Sequence, residues 1–290
     1  MITYILFRIG IALFKFMPFW MLYALSDMLY YILYYIVGYR KKVVRGNLQK
    51  AYGATHTPAQ IKTFEKEFYS HLCDILLEGI KGIVMSGKEA KDRFKVVTPD
   101  LYDAYYERGQ SAIFTSSHTS NWEWGIPGLP LYMKHQIFII YKELKNPRIN
   151  NYMRNRVSDC VMCGVKETGK GFKAQIAKNV PTLFILLADQ NTANRQQAHW
   201  VNFFGIETAA IHGVAKYAQY YNFPVFYFGN KRVKRGYYEC TLDILIEDPS
   251  KFTPEEITQI YMSKVEEHIR QDPSQWLWSH KRWKYTKADV

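Results

Sequence analysis

Ser111-Ala-Ile-Phe-Thr-Ser-Ser-His118-Thr-Ser-Asn-Trp-Glu123 is an apolar run that ends in small hydroxyl residues, delivers a His and sets a carboxylate five positions later. A short apolar run bounded by polar residues reads as a buried strand over Ser111–Ser117. Thr119, Ser120 or Asn121 can then N-cap a helix that follows. An imidazole titrates near neutral pH, so a His held by a carboxylate can take a proton from an alcohol and return it. On a continuous helix, side chains five residues apart point roughly 140° apart, because each residue turns about 100°. His118 and Glu123 therefore meet only if His118 lies at or before the helix start and Glu123 in its first turn. Ser120-x-x-Glu123 has a second reading as a capping box, in which the Glu bonds backbone N–H groups.

Outward from this stretch, strand-like and helical runs alternate. Gln136–Tyr141, Thr182–Ala188 and Pro224–Gly229 are further apolar runs of strand length, and Tyr237–Ile246 alternates as a strand. Helical spacing is predicted for Arg40–Tyr52, Pro58–Val84, Thr119–Leu131, Pro147–Cys160, Gly171–Lys178, Ala209–Asn222 and Pro254–Arg270, the last started by Thr253 with Pro at the first turn. Alternation of this kind predicts an α/β fold with a mostly parallel central sheet flanked by helices. In such sheets the site lies at the carboxyl ends of the strands. His118, Asp189-Gln190, and Asn146 with Arg156 each follow a strand end, which defines a candidate cleft.

The chain has 290 residues, 48% hydrophobic and 16% aromatic, with 23 Tyr, and a formal charge of +12. That hydrophobic content excludes a disordered chain. The charge calls for an acidic partner, which could be nucleic acid, anionic lipid or an acidic carrier protein. No zinc-finger spacing or RNA-binding aromatic motif is present, so no nucleic-acid partner is expected. Cys160-x-x-Cys163 lacks a second pair, and Cys73, Cys160, Cys163 and Cys240 are read as free thiols of a reducing compartment.

Residues 1–38 hold only Arg8, Lys15 and Asp27 as charges. Ile2–Phe14 is too short to span a bilayer, whereas Phe19–Val37 is nearly long enough. Asp27 near its middle sets a tilted span against a segment lying in the interface, and a buried core helix is a third reading. Arg40-Lys41-Lys42 and Arg45 follow, suited to an anionic cytoplasmic leaflet. The expected organisation is a membrane anchor over residues 1–38 and a catalytic domain over residues 39–290.

Several elements together resemble one family. They are Tyr39-Arg-Lys-Lys-Val-Val-Arg-Gly-Asn-Leu48, His118-x4-Glu123, Asn146-Pro147 with Arg156 downstream, Asp189-Gln190, Phe203-Phe204-Gly205, and Trp276-Leu-Trp-Ser-His280-Lys-Arg282-Trp283. In this order they resemble the bacterial late acyltransferases of lipid A biosynthesis, relatives of the lysophospholipid acyltransferases, from about Met17 to Tyr285. The pattern departs at Ala188, where some members have Pro, and the variable stretch after Arg156 leaves Arg154 as an alternative to it.

The resemblance implies transfer of a fatty acyl chain from acyl carrier protein, or less often coenzyme A, to a hydroxyl of a lipid A precursor. It implies a place on the bacterial inner membrane facing the cytoplasm, with no metal or bound cofactor. His118 would be the general base, and Glu123 would fix its tautomer, as the carboxylate does in a hydrolase triad. Arg156 or backbone N–H groups would meet the oxyanion. Asp189 would hold the cleft together or orient Arg156, or serve as a strand-end turn cap. Asn146 and Arg282 are further candidates for substrate or phosphate contact. Phe203-Phe204 is read as acyl-channel lining or core, and the C-terminal Trp cluster as a bilayer-interface element, a phosphate contact or a solvated end. Other readings are an acyltransferase for a glycerolipid or aminolipid, and a non-enzymatic membrane-surface binder. No Gly-x-Ser-x-Gly elbow surrounds Ser116 and Ser117, which argues against a serine nucleophile.

Overall fold

The computed structural model describes residues 1–156, 159–192 and 195–289. Its strands are β1 (Phe94–Val96), β2 (Ala112–Ser116), β3 (Gln136–Tyr141), β4 (Cys160–Gly164), β5 (Thr182–Leu187), β6 (His199–Phe203), β7 (Ile206–Ala210), β8 (Val225–Lys234) and β9 (Tyr237–Ile246). Seven of them form one sheet in the order β1-β9-β8-β2-β5-β3-β4, parallel throughout except for the β8–β9 pair. β6 and β7 make a separate hairpin. Its turn places Phe204 and Gly205 both at positive φ (56° and 73°), the conformation a two-residue turn needs to match strand twist.

The helices are α1 (Ile2–Phe16), α2 (Phe19–Tyr31), α3 (Lys41–Tyr52), α4 (Pro58–Gly82), α5 (Gly87–Arg93), α6 (Asp103–Glu107), α7 (Gly125–Gly128), α8 (Pro147–Arg154), α9 (Thr168–Ile176), α10 (Gly213–Tyr221) and α11 (Pro254–Gln271). A π-helical turn, Ile32–Val37, continues α2. Thr57 and Thr253 each start a long helix with a capping box and a Pro in the first turn, so orphan backbone N–H groups are satisfied before the chain commits.

Every residue of the central strand β2 is buried, because helices cover both faces of a parallel sheet. Two apolar cores result. One holds Phe68, Phe184, Phe203, Tyr261 and Trp276, and the other holds Phe94, Phe114, Trp124 and Phe226. Cys163 belongs to the first and Cys160 to the second, so the two thiols lie on opposite faces of the sheet. All four cysteines are free and buried.

Two predicted helices are corrected. Residues 119–131 form no continuous helix. Gly125, Pro127, Gly128 and Pro130 break the stretch into the four-residue α7 between two 3₁₀ turns. The helix predicted over Pro147–Cys160 ends at Arg154, and Cys160 already opens β4. Residues 157–158 of that stretch lie outside the described residues.

Candidate active site

β2 and β5 are neighbours, and their register pairs Ser116 with Leu187. His118 and Asp189 each lie two residues beyond that pair, so the topology sets them side by side at the carboxyl ends of the strands. The Asp189 carboxylate accepts a hydrogen bond from His118 Nδ1 at 2.7 Å and another from the His118 backbone N–H at 2.9 Å. The indole N–H of Trp276 donates to it at 2.7 Å. Asp189 is fully buried, whereas the His118 side chain keeps 20% exposure.

Burial pushes the His118 pKa down, but the charge of Asp189 and its hydrogen bond, with a smaller push from Glu123, raise it above the ordinary value. Burial likewise works to raise Asp189, and the imidazole and the donors from His118 and Trp276 hold it below the usual carboxylate range. With Nδ1–H committed to Asp189, Nε2 is the basic nitrogen. The orientation Nδ1–H···Asp189 is assigned from this hydrogen bond.

The carboxylate on Nδ1 is thus Asp189 and not Glu123, which corrects the expectation for that pair. Glu123 follows His118 on a 3₁₀ turn that Asn121 caps, its side-chain oxygen accepting from the Trp124 N–H at 3.1 Å. There Glu123 points into a cleft at 40% exposure, 3.8 Å from Arg156. It influences His118 through its charge, with no hydrogen bond between the two. The capping-box alternative fails as well, since the Ser120 hydroxyl is buried without a partner.

The other expected site residues divide. Arg156 lines the cleft and is largely buried, and burial lowers its pKa while Glu123 opposes the shift. Asn146 is a helix cap: its side-chain oxygen accepts from the N–H groups of Arg148 and Ile149 at 3.0 and 3.3 Å, and it does not line the cleft. Arg282 is 1% exposed and donates to the Ala209 carbonyl at 2.6 Å. Burial brings its pKa down to about 10. It cannot reach a bilayer or a surface phosphate.

Trp276 and Trp278 are buried too, and Phe203 and Phe204 pack against Trp276, Trp278 and Trp283 as core. The interface reading of the Trp cluster is therefore overturned. Instead the segment from Gln275 to Leu277 braces the loop that carries His118: Thr119 bridges Trp276, Leu277 N–H bonds the His118 carbonyl at 3.1 Å, and Ser120 N–H bonds the Gln275 carbonyl at 2.8 Å. Asn47 holds the segment from α3 through the carbonyls of Trp278 and His280, at 2.8 and 2.7 Å. Ser116 and Ser117 are buried, with hydroxyls spent on the Phe228 carbonyl and on Thr119 and Tyr227.

A cleft of about 790 Å³ is lined by Trp122, whose ring meets that of His118 edge-on at 5.1 Å, although His118 itself is not in its lining. Glu123, Arg156, Gln190, His280 and Arg40 are among its polar lining residues, and Leu29, Leu33, Leu76, Ile80 and Ile83 are among its apolar ones. A mainly apolar cleft with a few polar and charged groups suits a molecule with a hydrocarbon tail and a reactive head.

The family described as bacterial lipid A biosynthesis acyltransferase matches residues 1–285. The chain belongs to that family. No individually curated protein matches it in sequence. As a member of an acyltransferase family it is a transferase, and the family ties it to lipid A biosynthesis and to bacterial membranes in general terms. Sequence reasoning passed over Trp276 as the donor that holds Asp189, since nothing local joins positions 87 residues apart.

Proposed function

We propose that the protein moves a fatty acyl group from a thioester to a hydroxyl of a lipid A precursor, with His118 as general base and Asp189 as its orienting carboxylate. The observation behind this reading is the 2.7 Å bond between His118 Nδ1 and Asp189, whose neighbours Trp122 and Gln190 line a mainly apolar cleft. Nε2 takes the acceptor's hydroxyl proton as the oxygen attacks the thioester carbonyl. The tetrahedral intermediate then collapses, the C–S bond breaks, and the departing sulfur receives the proton from His118.

Arg156, in the lining of the cleft, is our candidate for the charge that develops on oxygen, and Glu123 positions it. The apolar length of the cleft takes a hydrocarbon chain. Acyl carrier protein, an acidic partner, is the donor that best suits the +12 charge, with coenzyme A second. The reading invokes no metal or prosthetic group. It places the protein on the cytoplasmic face of the inner membrane, with Arg40, Lys41 and Lys42 against anionic headgroups.

Purified protein given acyl carrier thioesters of several lengths and a defined lipid A precursor should yield a product one acyl chain heavier by mass spectrometry. Acylation of a glycerolipid or aminolipid in place of the precursor would replace the acceptor assignment. His118→Ala should cost at least about 100-fold in kcat, the lower range for a general base. Full activity of a folded His118→Ala protein would remove the mechanism.

A further inference from the structure

The segment Phe19–Val37 is long and apolar enough to cross a bilayer, at 19 residues and a mean hydropathy of 1.2. Its two sides are unlike. On the side facing the domain, Tyr23 donates to Glu78 at 2.8 Å, Ser26 donates to Asp74 at 2.6 Å, and Asp27 pairs with Arg235 at 2.6 Å. Arg235 also bonds Asp74 at 2.7 Å, and Arg232 bonds its other oxygen at 2.7 Å. Asp74 and Glu78 are fully buried. On the opposite side Trp20, Met28, Ile36 and Val37 are exposed.

α1 also leaves apolar residues bare and is held at its C-terminal end. Ile5, Ile9, Leu13 and Phe16 are exposed, while the Lys81 ammonium on α4 donates to the carbonyls of Phe14, Lys15 and Met17 at 2.9, 3.1 and 2.9 Å. α2 is therefore tied to the domain along one side and bare along the other, and α1 is held at its C-terminal end with its apolar residues bare.

A bilayer crossing has no place for this arrangement. Pulling α2 off the domain strips donors from two buried carboxylates and takes one carboxylate from Arg235. Keeping it docked drags α4 and the β8–β9 hairpin, with Arg232 and Arg235, into hydrocarbon that cannot solvate them. Lying flat satisfies both sides.

We propose that α1 and α2 lie side-on in one leaflet of an anionic bilayer and that the chain does not cross it. Arg8 and Lys15 on α1, and Arg40 with Lys42 after α2, set cations beside the apolar faces, as a bilayer with acidic headgroups requires. The cleft between α2 and α4 then opens sideways into the leaflet, so a lipid reaches Glu123 without leaving the membrane. This rests on the membrane placement proposed above, and not on the acyl-transfer chemistry.

The test uses the full chain in a Gram-negative host. One version has a cysteine-bearing tag fused ahead of Met1, and the other carries Lys251→Cys on the exposed surface of the domain. The four native cysteines are buried and stay silent. A membrane-impermeant maleimide is applied to spheroplasts and to inverted inner-membrane vesicles. Both sites should label in inverted vesicles and not in spheroplasts. Labelling of the tag from spheroplasts, with Lys251→Cys labelled only in inverted vesicles, overturns the one-leaflet arrangement. Recovery of both versions as folded soluble protein overturns the membrane placement itself.

Discussion

At the scale of single residues, two carboxylates compete for His118 and only one reaches its Nδ1. The five-residue interval to Glu123 is visible in the sequence, whereas Asp189 is 71 residues away and comes close only because β5 pairs with β2. The candidate base and its strand-end address were therefore legible, and its partner's role was not. The two carboxylates should separate by pH. A base acts when unprotonated, so kcat/KM should rise with pH through an apparent pKa above the ordinary His value of 6.5. Asp189→Asn removes the larger of the two charges that raise it and leaves burial to prevail, moving that limb to lower pH. Glu123→Gln should move it less and act mainly on kcat through Arg156. Equal displacement of the limb in both variants, read from pH profiles, would contradict the assignment of Asp189 to Nδ1.

Among elements, those with unambiguous patterning were the readable ones. Gln136–Tyr141 and Tyr237–Ile246 are strands with the predicted limits, the first an apolar run and the second an alternation that opposes β8. Thr119–Leu131 misled because its apolar spacing suited a helix while its two Gly and two Pro did not, and the breakers prevailed. β4 went unseen because Cys160–Gly164 is short and only partly buried. α4 does two jobs along its length. Its polar face, His71, Asp74 and Glu78, binds α2 and the hairpin, and its apolar face walls the cleft with Leu76 and Ile80. Gly79 lies on that wall, where an added Cβ meets only Glu123 Cγ at an ordinary 3.9 Å. Gly79→Ala should be accepted without loss of fold. Gly79→Leu should project into the groove and reduce transfer from long-chain thioesters more than from short ones. An unchanged chain-length profile would remove this cleft from the acyl path.

For the whole molecule, acid should be the weak side. Burial brings His268 down to about 4, from an ordinary 6.5, although the Asn230 carbonyl supports its charged form. Burial and the neighbouring Arg282 bring His280 down to about 4 as well. The unfolded chain binds these protons first, so stability falls as pH drops from about 6.5 towards 4. A fully realised shift on His268 alone amounts to on the order of 3 kcal/mol. His118 works in the other direction, since its raised pKa stabilises the fold below 6.5 and that contribution fades as pH rises through the raised value. Urea midpoints in mild detergent should drop between pH 7 and pH 5, and His268→Gln should flatten the slope. A midpoint that does not move would contradict this account.

The brace that Trp276 and Leu277 place on the loop at His118 has a consequence for biosynthesis. β2 and β5 leave the ribosome before Trp276 does, so Asp189 lacks its indole donor until residue 276 has emerged. A nascent chain stalled before residue 276 should already hold much of its sheet and yet be inert. On the proposed mechanism, activity should therefore appear only once residue 276 has cleared the ribosome.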